Sequence, residues 1–206
     1  MSRFYPEEKE QRTNELLEVI EMSSFANEKV KTLSRGQQQR VAIARALAKE
    51  PELILLDEPF GQIDNFKKNS LRRKLFNYLK EKNISCIVAT HDGDDALSFA
   101  DQMMVIKNKK VVALDSPRNL YKNPSEHYVA ALFDDVNELF IDGKKRLIYP
   151  HQIQVSIDSS YKAIVKKSFF KWSFWLIEAM FNSQVIFFEN PENIDLGKEI
   201  SLSFID

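Results

Sequence analysis

The sequence predicts an α/β domain with a parallel sheet, followed by a small all-β, barrel-like domain. Up to about residue 132, short apolar segments alternate with segments of helical period, an order typical of a parallel sheet with helices packed on it. Beyond that point short alternating segments follow one another without a convincing helical period, which is typical of a barrel-like β fold. We therefore expect one domain at residues 1–132 and a second at residues 133–206.

Two helices are predicted before the first strand. Charged residues surround a few aliphatic ones over residues 7–22, which indicates an amphipathic helix. Ser34 is a good N-cap for a second helix over residues 36–49, and Pro51 prevents that helix from continuing. Further helices are predicted over residues 66–82 and near residues 94–99.

Three short apolar segments predict the strands of the parallel sheet. Residues 53–56 lie between two prolines and are too short for a helix, so they predict a strand buried on both faces. Residues 84–90 and 103–106 predict the other two strands. Residues 115–132 are the predicted connector, and strands of the second domain are predicted at residues 147–149, 153–157, 163–165, 170–176, 185–188 and 200–204.

Composition excludes several classes of protein. The 29 basic and 30 acidic residues give a net charge of -1, so no electrostatic field favours a polyanion and no nucleic-acid partner is expected. The longest uninterrupted aliphatic stretch, residues 53–56, is far too short for a membrane span, and the first residues do not resemble a secretory signal. A single cysteine, Cys86, agrees with a reducing compartment. We expect a cytoplasmic chain unless a partner carries it to a membrane.

The first candidate site is the start of the second predicted helix. Ser34 and Gly36 stand where free backbone N–H groups and the positive end of the helix dipole favour a phosphate, and Gly36 lets the backbone come close to it. The alternative is an ordinary capped helix with a polar first turn.

The other two candidate sites follow predicted strands. Asp57 and Glu58 end the 53–56 strand, and ligands of α/β sheets bind at the carboxyl ends of strands, so Asp57 can reach magnesium and Glu58 can orient or deprotonate a water. The alternative is that the carboxylates cap the next turn. His91 follows the next strand on the same rim and can donate a hydrogen bond to a terminal phosphate, although a structural histidine is the alternative. His127 and His151 receive only the structural interpretation.

Taken together, four segments resemble motifs of ABC-type ATPases, and the resemblance covers roughly residues 7–132. The signature motif resembles residues 33–40, Walker B residues 53–59, the D-loop residues 61–64 and the switch histidine residues 90–92. This resemblance implies an ATP-binding and ATP-hydrolysing domain with a P-loop NTPase fold that works with ATP and Mg²⁺. By the same resemblance, Asp57 would hold Mg²⁺, Glu58 would be the catalytic base and His91 would sense the γ-phosphate.

The resemblance implies further nucleotide contacts. Ser34, Gly36 and Gln37 would bind the γ-phosphate of a nucleotide held mainly by a second ATP-binding subunit, and Asp64 would couple the two sites. Arg35, within this signature segment, stands where the family usually has glycine, a change we expect to be tolerated because Gly36 still allows the close approach. Gly61 stands where serine is common in the family, which weakens a cap and little else.

The 206 residues contain no Gly-x4-Gly-Lys-Ser/Thr sequence, the Walker A loop that cradles the β- and γ-phosphates. We therefore expect an incomplete ABC ATPase sheet with uncovered strand edges and apolar faces, and no magnesium-dependent ATP hydrolysis by the isolated chain. The absence suggests a truncated gene or an open reading frame begun at an internal methionine.

The tail resembles a second family feature. Residues 121–124 and 128–130 resemble the linker of polyamine, ferric-iron and sulfate importers, and residues 148–153 resemble the Arg-Pro-Glu segment of their TOBE-like β domain with different polar residues. The implied partners are transmembrane permease subunits, and the implied location is the inner face of the cell membrane. The aromatic residues of segment 169–175 are expected in the barrel core, with base or ligand stacking as the alternative.

Three functional hypotheses remain open at this point. The favoured one is an ATP-binding subunit that powers solute import. The second is a non-catalytic fragment or regulatory binding module that completes a partner's ATP site. The third is a soluble ABC ATPase that does not serve transport, and the importer-like β domain counts against it.

Overall fold

The computed structural model describes residues 6–205, apart from the side chains of Pro6, Asn65 and Phe66. The chain forms two compact units, which divide between His91 and Asp92. The predicted domain boundary after residue 132 lies within the second unit and stays a prediction. Among the described residues, no helix is both long and apolar enough to cross a membrane.

Three helices and two strands build the first unit. The helices are α1 (Pro6–Val19), α2 (Arg35–Leu47) and α3 (Asn65–Glu81), and the strands are β1 (Leu53–Asp57) and β2 (Ser85–Ala89). These elements correspond to the helices and strands that the sequence predicts in this region. Side chains from all three helices and from β1 form one hydrophobic core, including Leu16, Ile20, Leu47, Ile54, Leu56, Leu71 and Leu75.

β1 and β2 are parallel neighbours, and their sheet is covered on one face. The register runs from Leu53 opposite Ser85 to Asp57 opposite Ala89, so the two strands end together. Leu53, Leu55 and Ile87 on the other face are 50%, 68% and 60% exposed. The expectation that segment 53–56 is buried on both faces is therefore wrong for the described residues, because the helices of this unit pack only on the Ile54 side.

The predicted third strand pairs differently from expectation. β3 (Met103–Lys107) forms an antiparallel hairpin with β4 (Lys110–Asp115), a strand that the sequence did not predict, and together they make a separate two-stranded sheet. Asn108 and Lys109 join the strands with φ values of 50° and 63°, the backbone of a tight type I′ turn. Because such a turn reverses the chain at once, β3 finds its partner locally.

Short helices complete the region before the β-rich part of the second unit. They are α4 (Gly93–Phe99), α5 (Pro117–Lys122) and α6 (His127–Ala130). Leu120 and Val129 bury their side chains against Val105 of β3. Ser116 caps α5 by accepting a hydrogen bond from the Asn119 backbone N–H, within the connector that the sequence predicts.

The remaining strands are antiparallel and enclose their own core. They are β5 (Asn137–Ile141), β6 (Lys144–Ile148), β7 (Ile153–Ser156), β8 (Tyr161–Lys171), β9 (Phe174–Phe181), β10 (Gln184–Asn190) and β11 (Glu199–Phe204). Five of them form a sheet in the order β10-β9-β8-β11-β7, and β5 and β6 form a hairpin. Leu139, Ile141 and Ile148 of that hairpin share one hydrophobic core with the five-stranded sheet.

The aromatic segment 169–175 fits the sequence-based expectation only in part, because Trp175 packs against the core of the β strands and its neighbours do not. Trp172 and Ser173 form the turn between β8 and β9, so the predicted strand 170–176 is interrupted. Phe169, Phe170 and Trp172 are 41%, 66% and 93% exposed and do not belong to a barrel core. The reason is that the pairing of β8 with β11 covers only residues 161–164, so the far end of β8 pairs with β9 alone.

Candidate functional site

The acid pair lies where β1 ends. Asp57 is the last residue of β1 and is exposed, and Glu58 follows it with a φ of 45°, in the left-handed region that a non-glycine residue rarely adopts. The Glu58 backbone N–H still donates to the Ala89 carbonyl at 2.9 Å, which joins this turn to the end of β2. Residues in rarely populated backbone regions cluster at functional sites, and Glu58 is both such a residue and one of the two carboxylates at this strand end.

His91 meets Glu58 across the ends of the two strands. Its Nδ1 lies 2.6 Å from Glu58 Oε1, and its backbone N–H donates to the same oxygen at 3.1 Å. An ionised carboxylate accepts hydrogen bonds only, so Nδ1 must carry the proton in this contact. The His91 side chain is 84% exposed and that of Glu58 is 42% exposed, so both remain accessible to a ligand.

The start of α2 carries a complete capping box. Ser34 Oγ accepts from the Gln37 backbone N–H at 3.3 Å, and Gln37 Oε1 accepts from the Ser34 backbone N–H at 2.8 Å. The structure thus contains the ordinary capped helix that was the alternative to a phosphate site at this position. Arg35 is exposed at the first position of the helix. A capped start still presents backbone N–H groups and the positive end of the dipole to an anion.

Gly36 is required by a close contact with the protein itself. A Cβ atom at this position would lie 2.3 Å from the Gln62 carbonyl oxygen. The space that the missing side chain leaves is therefore filled by the backbone of the loop that follows Glu58. This contact places the start of α2 beside the loop that runs from Gly61 to Asp64.

A second contact joins α2 to the acid pair. Gln39 Nε2 donates to the Glu58 backbone carbonyl at 2.8 Å. Gln39 and Gln62 are positioning residues that the sequence reasoning missed. Gln39 follows two other glutamines, and nothing in that run distinguishes the one that turns towards Glu58.

Asp64 lies at the start of α3, whereas Asp57 ends a strand. Asp64 occupies the N-cap position of α3, is exposed, and makes no side-chain capping hydrogen bond. The structure thus brings Glu58 and His91 into direct contact and packs the Ser34–Gln37 turn beside the 61–64 loop through Gly36 and Gln62. Asp57 and Asp64 each stand exposed at the end of their own element.

Several known proteins are similar to this chain in sequence. The family model described as "ABC transporter" matches residues 2–61. The sulfate/thiosulfate import ATP-binding protein of Vibrio cholerae is 40% identical over 133 residues, which cover 65% of this chain and 35% of that protein. The putrescine transport ATP-binding protein of Escherichia coli K12 is 36% identical over 126 residues, covering 61% of this chain and 33% of that protein. The chain thus spans about a third of the length of these curated relatives.

Solved structures agree on the fold. The dimeric structure of a bacterial ABC transporter cassette is 36% identical, with a TM-score of 0.51 over 57% of this chain and 51% of that one. The cbiO1 protein of Clostridium perfringens, part of an ABC transporter complex, is 29% identical, with a TM-score of 0.51 over 59% of this chain and 49% of that one. Over the part that these proteins match, the chain is similar to importer-type ATP-binding subunits of the ABC transporter family.

Proposed function

We propose that this chain supplies part of the ATP-hydrolysing site of an ABC transporter that imports a solute. The observation that carries the proposal is the 2.6 Å contact between Glu58 and His91 at the ends of adjacent parallel strands. Ligands of α/β sheets bind at such strand ends. The names of the relatives, which are import ATP-binding proteins for sulfate or putrescine, support solute import as the process.

Three residues at the strand ends would carry the chemistry. Glu58 would accept the proton of the attacking water, and its contact with His91 would fix both side chains in one orientation. With Nδ1 donating to Glu58, His91 would donate to the γ-phosphate through Nε2, which requires the imidazolium form with a proton on both ring nitrogens. Asp57 fits the protein side of a magnesium site, because Mg²⁺ is usually held by one or two carboxylates together with phosphate oxygens and waters. Bound Mg²⁺ would neutralise charge on the phosphates.

The start of α2 would serve a nucleotide held mainly by a second ATP-binding subunit. Ser34, Gly36 and Gln37, with Arg35 between them, would present the capped helix start to that γ-phosphate. Gly36 supports this role through its contact with Gln62, because that packing holds the helix start beside the loop that leads to Asp64. Asp64 would then couple the two sites of the dimer.

Residues other than these 206 would supply the phosphate-binding loop and cover the open face of the sheet. The sequence lacks the Walker A pattern, and Leu53, Leu55 and Ile87 leave an apolar face exposed. A contiguous apolar surface on a soluble domain is usually covered by another element. The covering element, in the same or another polypeptide, would carry the lysine and backbone N–H groups that bind the β- and γ-phosphates.

The proposed partners are transmembrane permease subunits and a second ATP-binding subunit. This assembly would place the chain at the inner face of the cell membrane. The TOBE-like assignment of residues 133–206 belongs to the same proposal, and the antiparallel sheet with its own core supports it.

Purification of the assembly from its native cell tests the proposed function. The chain would carry a C-terminal affinity tag, and ATP hydrolysis by the purified membrane complex would be measured as phosphate release. We expect permease subunits to co-purify and Glu58→Gln to lower the hydrolysis rate by at least about a hundredfold, since a general base contributes that much or more. Glu52→Gln is the matched control, because Glu52 is an exposed carboxylate just before β1. Wild-type turnover by the Glu58→Gln assembly, or recovery of the chain without membrane proteins, contradicts the proposal.

A further inference from the structure

Three side chains that can ligate a metal meet in the second unit. Asp134, His151 and Glu189 each offer one ligand atom, and these atoms lie within 4.8 Å of one another. Two of the residues are exposed and Glu189 is half-buried, so the cluster is open to solvent on one side. None of the three belongs to the proposed ATP site.

Three separate segments bring these side chains together. Asp134 lies in the loop before β5, His151 lies in the 3-10 turn Pro150–Gln152, and Glu189 lies near the end of β10. The turn is held by Gln152 Oε1, which accepts a hydrogen bond from the Tyr149 backbone N–H at 2.9 Å. An ion bound here would join a loop, a turn and a strand.

Two tyrosines fix the position of the imidazole. The His151 ring is nearly parallel to the rings of Tyr149 and Tyr121, at centroid distances of 5.7 Å and 6.2 Å. Tyr121 Oη also lies 3.0 Å from His151 Nε2. A metal-binding histidine typically has such an outer partner on its ring, which orients the ring and sets its tautomer. Tyr121 is therefore a positioning residue for His151.

The two carboxylates concentrate negative charge at this point. Within residues 6–205, neither Asp134 nor Glu189 takes part in an ion pair with a basic side chain. A doubly charged cation would neutralise the two carboxylates, with a neutral imidazole as third ligand.

We propose that Asp134, His151 and Glu189 bind a divalent first-row transition-metal ion. Carboxylates suit magnesium, calcium and manganese, whereas imidazole suits zinc, copper, iron and nickel, so it is the His151 imidazole that favours a transition metal over calcium or magnesium. Three protein ligands leave coordination positions for water, as in other three-ligand sites. The bound ion holds the turn with His151 against β10 and adds stability to the second unit.

Isothermal titration of the full chain with Zn²⁺, and the visible absorption spectrum with Co²⁺, test this site. We expect one Zn²⁺ per chain and at least about tenfold weaker binding in each of Asp134→Asn, His151→Gln and Glu189→Gln. Tyr121→Phe keeps every ligand and the ring beside His151 but loses the hydrogen bond to His151 Nε2, so it weakens binding less than removal of a ligand does. Asp135→Asn and His127→Gln are matched controls, since each is an exposed residue of the same type in the same unit.

Different outcomes separate this site from general binding of metal to surface carboxylates. A Co²⁺ spectrum that changes in His151→Gln but not in His127→Gln supports the imidazole as a ligand. Equal Zn²⁺ affinity in wild type and His151→Gln would overturn the proposal, as would equally weak binding of Zn²⁺ and Mg²⁺ by wild type. Because Asp134 and His151 are exposed, their variants should fold, and circular dichroism checks that they do.

Discussion

Replacement of Gly36 by alanine should destabilise the first unit, although alanine normally favours a helix. The new Cβ would lie 2.3 Å from the Gln62 carbonyl oxygen, so that backbone must retreat by roughly 0.7 Å before the contact reaches 3.0 Å. Overpacking of this kind costs about 1–3 kcal/mol. The gain in helix propensity is at most about 1 kcal/mol. The overlap therefore decides the sign, and we expect a net loss of up to about 2 kcal/mol in the free energy of unfolding.

Gly61 provides a control, because it lies in the loop against which Gly36 packs. A Cβ at Gly61 would meet its nearest neighbour, the Glu58 carbonyl oxygen, at 3.6 Å, which is an ordinary contact. Gly61→Ala should be neutral or stabilising by up to about 1 kcal/mol, because it restricts the unfolded chain. Urea unfolding followed by circular dichroism measures both variants. The reasoning fails if Gly36→Ala is as stable as wild type, or if Gly61→Ala is the more damaging change.

Three further predictions concern single residues of the first unit. Arg40 is buried and its Nη1 donates to two backbone carbonyls at 3.3 Å. Arg40→Leu should therefore lower the free energy of unfolding by about 2–3 kcal/mol, and a loss below about 0.5 kcal/mol would contradict this. Burial raises the pKa of the Cys86 thiol from 9.0 to about 11, and only the thiolate reacts with iodoacetamide. At pH 8 the folded chain should therefore be labelled at least about a hundredfold more slowly than the urea-unfolded chain. Equal labelling rates would refute the burial argument. The pKa of Glu15 lies below its usual value, mainly because its carboxylate accepts a hydrogen bond from Lys82, and this outweighs the effect of burial, which raises the pKa. The stabilising effect of this hydrogen bond is therefore present above the unfolded pKa of 4.5 and disappears as pH falls through the lower folded pKa. Glu15→Gln should lose less stability than wild type between pH 5 and pH 3, and identical pH profiles would count against this pairing.

The elements around the candidate ATP site were predictable because their determinants are local. Ser34 and Pro51 limit α2, and the prolines at 51 and 59 isolate β1. The contact between Glu58 and His91 follows from adjacent parallel strands that end in register. Their meeting could thus be anticipated from position alone. Their catalytic roles stay proposals that the family resemblance supplies.

The features that sequence reasoning missed depend on turns and on long-range packing. Asn108 and Lys109 form a tight hairpin turn without the glycine that usually reveals one, so β4 was missed and β3 was assigned to the wrong sheet. Trp172 at the tip of the β8–β9 hairpin shows the same difficulty, because an aromatic residue is not a typical turn former. His151 looked structural because Asp134 and Glu189 lie far from each other in sequence.

The double-mutant cycle of Glu58 and His91 tests the central claim most directly. The cycle uses ATP hydrolysis by the purified membrane assembly carrying wild type, Glu58→Gln, His91→Ala or both changes. Residues that act as one catalytic unit give non-additive losses. We predict that the double variant is no slower than Glu58→Gln alone, because the two side chains share one hydrogen bond at one site. Losses that multiply across the cycle, or full activity in either single variant, would contradict a shared site.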